Sequence, residues 1–167
     1  MPSGECLVIG IGNPDRGDDA VGLIVAKRIK ARRPPGVGVV EHDGEPGRLL
    51  DYLGDAQSAY LIDACKAGAP PGTISRFDVA ATKLPRLACG YSTHEMGLVE
   101  AVELARALGR LPRRCVTYVI EGRTYDIGGL LSAEVAAAAE KVAELIWDEL
   151  CDYARPGMSC SASKADL

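Results

Sequence analysis

Three aspartates crowd one turn of the chain, in the stretch Leu7-Val8-Ile9-Gly10-Ile11-Gly12-Asn13-Pro14-Asp15-Arg16-Gly17-Asp18-Asp19-Ala20-Val21-Gly22. An apolar, β-branched run breaks into glycines, passes a polar turn and reaches paired carboxylates as a helical pattern begins, which predicts strand, loop and helix start. Three carboxylates would repel a phosphate, so the loop is suited to a cation. One of the Asp18/Asp19 pair suffices to cap the helix; the expectation is that Asp18 caps and Asp19 points into a crevice. A second apolar run, Tyr60-Leu61-Ile62-Asp63-Ala64, also closes on an acid. An unpaired carboxylate there would cost on the order of several kcal/mol. A buried arginine, a backbone cap or a bound metal could neutralise it, and beside Asp19 the metal is the better reading. Of the two histidines, His94 has a stronger claim than His42, because it falls at a predicted helix N-terminus, where the dipole favours the neutral, metal-binding imidazole. Asp19, Asp63 and His94 together would offer two oxygens and a nitrogen, a borderline set compatible with zinc or nickel and leaving a position open.

The surrounding pattern supplies the elements that must hold these residues. Residues 18–33 place Val21, Ile24, Val25 and Ile29 on one helical face, with Arg28, Lys30, Arg32 and Arg33 at the C-terminal end. A second strand is expected over 37–41, a brief helix over 48–53 and a third strand over 60–64. Strand and helix in alternation predict a parallel sheet with helices on its faces. The next run, 73–79, follows after only about nine residues, too few for a parallel crossover, so this fourth strand is expected antiparallel at an edge. Ser92-Thr93-His94-Glu95 fits a capping box opening a helix whose stripe is Leu98, Ala101, Val102, Ala105 and Leu108. A fifth strand over 114–120 and a last helix beginning near 131–134 complete a three-layer α/β/α sandwich with a five-stranded mixed sheet. Ligands of such sheets bind beyond the strand carboxyl ends where strand order reverses, here between the first and third strands. Asp19 and Asp63 are expected at that point.

The 167 residues, 47% of them apolar, suit one core. A single domain over 1–150 is expected, and the Pro- and Ser-containing stretch 151–167 reads as a mobile tail. A net charge of −4 without a basic face argues against nucleic acid and anionic membrane as partners. No apolar run approaches the roughly 20 residues of a membrane span, and Met1-Pro2-Ser3-Gly4-Glu5 does not begin a secretory signal; the expected location is cytoplasmic. Cys6, Cys65, Cys89, Cys115, Cys151 and Cys160 show no CxxC spacing and read as reduced, mostly buried thiols. Cys65 is set apart by lying two residues past Asp63.

Gly10-Ile11-Gly12-Asn13 with Arg16-Gly17-Asp18-Asp19-Ala20-Val21-Gly22, then Ile62-Asp63-Ala64, then Ser92-Thr93-His94-Glu95-Met96-Gly97-Leu98, in that order, resembles the hydrogenase maturation peptidases. Gly129-Leu130-Leu131-Ser132 before the last helix is also similar, and the likeness runs from about residue 6 to residue 150. The resemblance implies a phosphorylase/hydrolase-like fold, an endopeptidase removing the C-terminal extension of a nickel-iron hydrogenase large-subunit precursor, and metal-engaging residues at Asp19, Asp63 and His94. It also implies that the metal is the nickel of the precursor, so that insertion licenses the cut.

The missing GxSxG elbow argues against a serine hydrolase, and the missing HExxH disfavours a general metallohydrolase, which stays as a third possibility. A dinucleotide site, suggested by Gly10, Gly12 and Glu41, lacks its third glycine, because Asp15 stands there; no nucleotide is expected. A nickel-binding maturation chaperone that does not cut is a further alternative. A monomer docking the precursor through loops such as 42–47 and 122–129 would suffice.

Overall fold

An unbroken apolar run, buried along its whole length, forms β1 (Cys6–Ile11), as expected of a strand covered on both faces. The computed structural model describes residues 5–85 and 97–153. Strand β2 (Val37–His42) pairs parallel to β1 on one side, and β3 (Ser58–Cys65) parallel on the other. Strand β5 (Arg114–Glu121) continues parallel beyond β3, and β4 (Ile74–Asp78) closes that edge antiparallel to β5. The order β2-β1-β3-β5-β4 puts the reversal between β1 and β3 and the antiparallel strand at the rim, as the short connection before it predicts.

Alternation along the strands divides the core in two. Val8, Tyr60, Ile62, Val116, Tyr118 and Ile120 face α1 (Val21–Ala31) and α4 (Ala133–Tyr153). Leu7, Ile9, Ile11, Leu61 and Cys115 face α2 (Pro46–Asp55) and α3 (Leu98–Ala107). The result is an α/β/α sandwich around a five-stranded mixed sheet.

Several boundaries differ from the sequence reading for local reasons. Helix α2 starts two residues earlier than expected, because Glu45 accepts hydrogen bonds from the N–H groups of Gly47 and Arg48 and Pro46 opens the first turn. Helix α4 continues to Tyr153, past the expected end of periodicity at residue 150; residues 154–167 of the expected tail lie outside the described residues. Leu108 follows α3 and is exposed, so it leaves the predicted stripe. The proposed capping box at Ser92 and Glu95, and His94 with it, also lie outside the described residues.

Helix α1 presses unusually close to the sheet. A Cβ at Gly22 would lie 2.3 Å from the Ile11 carbonyl oxygen and 2.4 Å from that of Ile62, and one at Gly10 would lie 2.1 Å from the Gly22 oxygen. Glycine at both positions lets the helix start seat against the ends of β1 and β3. That seating brings the preceding residues, Asp18 and Asp19, to the switch point.

Candidate active site

Asp18 and Asp19 lie in a short 3-10 turn (Gly17–Ala20) ahead of α1, and both are buried. The expectation that Asp18 caps its own helix is not met: neither the turn nor α1 has a side-chain cap. Its carboxylate instead reaches across to the segment between β5 and α4. It accepts hydrogen bonds from Arg123 N at 2.7 Å, Thr124 N at 3.1 Å and Ser132 N at 2.7 Å, together with the Ser132 hydroxyl. Burial pushes the Asp18 carboxyl up, but the bonds from Ser132, Arg123 and Thr124 outweigh it and hold the group below its ordinary value. Two stretches of backbone, 123–124 and 132, together supply three N–H donors to this one carboxylate.

Asp19 accepts a hydrogen bond from Asn13 N at 3.2 Å, across the glycine loop it follows. Asp63 lies two residues before the end of β3, and its Oδ1 accepts from the next backbone N–H, that of Ala64, at 2.8 Å. Burial, and after it the negative charge of Asp19, push the Asp63 carboxyl well above its ordinary value. The structure therefore brings two of the expected site residues to one crevice at the β1/β3 switch point. Among the described residues, the partners of Asp63 are the Asp19 carboxylate and the Ala64 N–H, with no arginine paired to it. Two neighbouring buried carboxylates hold either a shared proton or a cation, so the pair suits the oxygen half of the expected metal set. Among the described residues, no group of three or more acids, cysteines and histidines is gathered to hold a metal, and His94 lies outside them.

His42 stands on the neighbouring strand, where its carbonyl accepts from Gly12 N of the glycine loop at 3.0 Å. It ends β2, is buried, accepts at Nδ1 from Gly44 N at 2.8 Å and meets the Tyr52 ring edge-on. It holds a turn.

Two neighbours of the crevice escape the sequence reading. Glu121, the last residue of β5, is buried and accepts from Ala67 N at 2.9 Å and Gly68 N at 2.9 Å, while the Cys65 thiol donates to it at 3.2 Å. The Tyr125 hydroxyl donates to the Cys65 carbonyl. The signal for Glu121 was the same as for Asp63, an acid closing an apolar strand. Cys65 is thereby a buried structural thiol next to the site. Cys6 and Cys115 are buried too, and burial pushes the Cys115 thiol up to about 12; Cys89 and Cys160 lie outside the described residues.

The model of the hydrogenase maturation protease family matches residues 24–149. The chain belongs to that family. A Methanocaldococcus jannaschii relative bearing a hydrogenase maturation protease name is 30% identical over 160 residues, covering 90% of this chain and 99% of its own length. The nickel-iron hydrogenase maturation protease HybD of Thermococcus kodakarensis superposes with a TM-score of 0.67 at 27% identity, covering 87% of this chain and 98% of that one. The hydrogenase maturating endopeptidase HybD of Escherichia coli gives 0.70 at 23% identity, over 89% and 93% of the two chains, and so shares the fold. Family membership makes this chain a protease of hydrogenase maturation and agrees with the mixed five-stranded sheet. Among the described residues, no helix is long and apolar enough to cross a membrane.

Proposed function

We propose that this protease removes the C-terminal extension of a nickel-iron hydrogenase large-subunit precursor in the cytoplasm, acting as a monomer once nickel has been inserted. Asp19, Asp63 and His94 engage the nickel carried by the precursor, and no nucleotide takes part. The observation that supports this reading is the pairing of Asp63 with Asp19 in one buried crevice. A cation arriving with the substrate would relieve the repulsion of the two acids, so the crevice favours a metal-loaded precursor over an empty one.

Nickel held in the precursor would supply Lewis acidity at a nearby carbonyl or water. Asp19, anchored by Asn13 N, fixes one side of the metal's position. Asp63, beside Asp19 in the same site, is the carboxylate placed to assist proton transfer from the attacking water to the leaving amine. Water addition to the scissile carbonyl, followed by C–N cleavage, leaves a new carboxyl terminus on the subunit and a free amine on the extension.

The test is incubation of nickel-loaded and nickel-free precursor with the wild-type protein and with Asp19→Ala, Asp63→Asn and His94→Ala. The expected result is a shortened subunit of one defined C-terminus, only with nickel and only with the wild type. A stable complex without cleavage would overturn the proteolytic reading in favour of a nickel-binding chaperone. Unchanged processing by the variants would overturn the site.

A further inference from the structure

Residues 122–132, between β5 and α4, combine two properties that rarely occur together in a loop: a dense set of backbone anchors and two large apolar side chains in solvent. Ile127 is 85% exposed and Leu130 is 86% exposed, well beyond any other large apolar side chain of the described residues. Burial of such side chains is favourable, so leaving both in water on an ordered tip is a cost that a partner would recover.

The anchors fix that tip relative to the crevice. One set runs to the glycine loop that carries Asp19. Asp18 holds Arg123, Thr124 and Ser132; Asp18 N donates to the Thr124 carbonyl at 2.9 Å; Gly128 N donates to that of Asp15 at 2.7 Å. Gly17, at φ 55°, leaves no room for a side chain, since a Cβ there would lie 2.8 Å from the Thr124 carbonyl oxygen. The other set runs to the end of β3, where Gly122 N and the Tyr125 hydroxyl both donate to the Cys65 carbonyl. The loop is thus tied to the residue before Asp19 and to the residue two past Asp63. Its shape is set before any partner arrives, which lowers the entropy lost on binding.

We propose that residues 122–132 form a preformed docking ledge for the precursor, with Ile127 and Leu130 taking an apolar segment of that polypeptide beside the Asp19 and Asp63 crevice. The assignment rests on the proteolytic reading above. Continuity with the crevice identifies the occupant as the substrate. A second copy of this chain is the poorer fit, because two side chains fall far short of the roughly 800 Å² per partner that a stable dimer buries. Asp18 is then a positioning residue: one acid of the Asp18-Asp19 step holds the ledge while its neighbour faces the reaction.

The experiment measures cleavage kinetics and affinity for the nickel-loaded precursor with wild type, the double variant Ile127→Ser/Leu130→Ser and a control, Leu108→Ser, whose exposed side chain lies past the far end of α3. The double variant is expected to raise KM and Kd about ten- to a hundredfold, with kcat within about twofold and Tm unchanged. Leu108→Ser is expected to match the wild type. Restoring the apolar character with Ile127→Leu/Leu130→Met is expected to recover most of the affinity. Wild-type cleavage with an unchanged KM and Kd in the double variant would overturn the ledge and leave the proteolytic reading standing. If the wild type binds without cutting, that reading fails, and equal Kd values would still overturn the ledge. A wild-type dimer lost in the double variant would reassign the patch to self-association and overturn it as well.

Discussion

Glu149, on α4, and Asp63, near the end of β3, are both acids packed against the central sheet, yet cations surround one and a second acid faces the other. Arg76 grips Glu149 with two bonds of 2.9 Å, Arg114 adds one at 3.2 Å, and the Tyr118 hydroxyl donates at 2.6 Å. Burial pushes Glu149 up, but the bonds from Arg76 and Tyr118 and the two arginine charges outweigh it and hold the carboxyl below its ordinary value. At Asp63, burial and then Asp19 push the same chemical group the other way. The first arrangement is complete in itself and ties α4 to β4 and β5. In the second, two acids face each other, an arrangement suited to holding a proton or a cation, as perturbed carboxylates at binding sites do.

The largest expected difference lies in activity. Asp19→Ala or Asp63→Ala should lower the cleavage rate of nickel-loaded precursor by about a thousandfold or more, whereas Glu149→Gln should leave kcat within about twofold. Quantified gel assays of the shortened subunit check both.

Stability should respond in the opposite sense. Glu149→Gln weakens two partly exposed arginine pairs and is expected to cost about 2 kcal/mol in urea unfolding. Asp63→Asn removes repulsion with Asp19 and should raise the Tm of the metal-free protein at pH 7.5 by about 2–4 °C. A fall in Tm would show that the crevice is already compensated without metal.

The smallest effects concern pH. Asp63 has a raised folded pKa, so the folded protein keeps a proton that the unfolded chain releases above about pH 4, and stability drops as pH rises through the interval up to the folded value. Asp63→Asn should flatten that slope. Glu149 and Asp18 have lowered folded pKa values, so their contributions are present above about pH 4 and are lost as pH falls through the folded values. Urea titrations at stepped pH would show wild type and Glu149→Gln converging at the acid end.

The strand order and the edge position of β4 were legible because they follow from connection length and apolar run. The nearness of Asp19 and Asp63 was legible because one follows a glycine loop at a helix start and the other stands late in an apolar strand, both at the β1/β3 switch point. The role of Asp18 was not, since its partners Arg123, Thr124 and Ser132 come from the other end of the chain and local capping rules favour a nearer solution. Glu121 carries the same signature as Asp63, an acid at the close of an apolar strand, but no glycine loop stands beside it. Ile127 and Leu130 sit in a stretch without periodicity, where sequence gives no sign of which side chains face water.

The long reach of Asp18 also bears on the order in which the molecule is assembled. Its bonds close loops of 105, 106 and 114 residues, and closures of that span form late in folding. A growing polypeptide emerges N-terminus first, so the glycine loop is made early and must wait for residue 132 to be synthesised. The Asp18 anchors therefore close only after residue 132 has emerged, more than a hundred residues behind the glycine loop they hold.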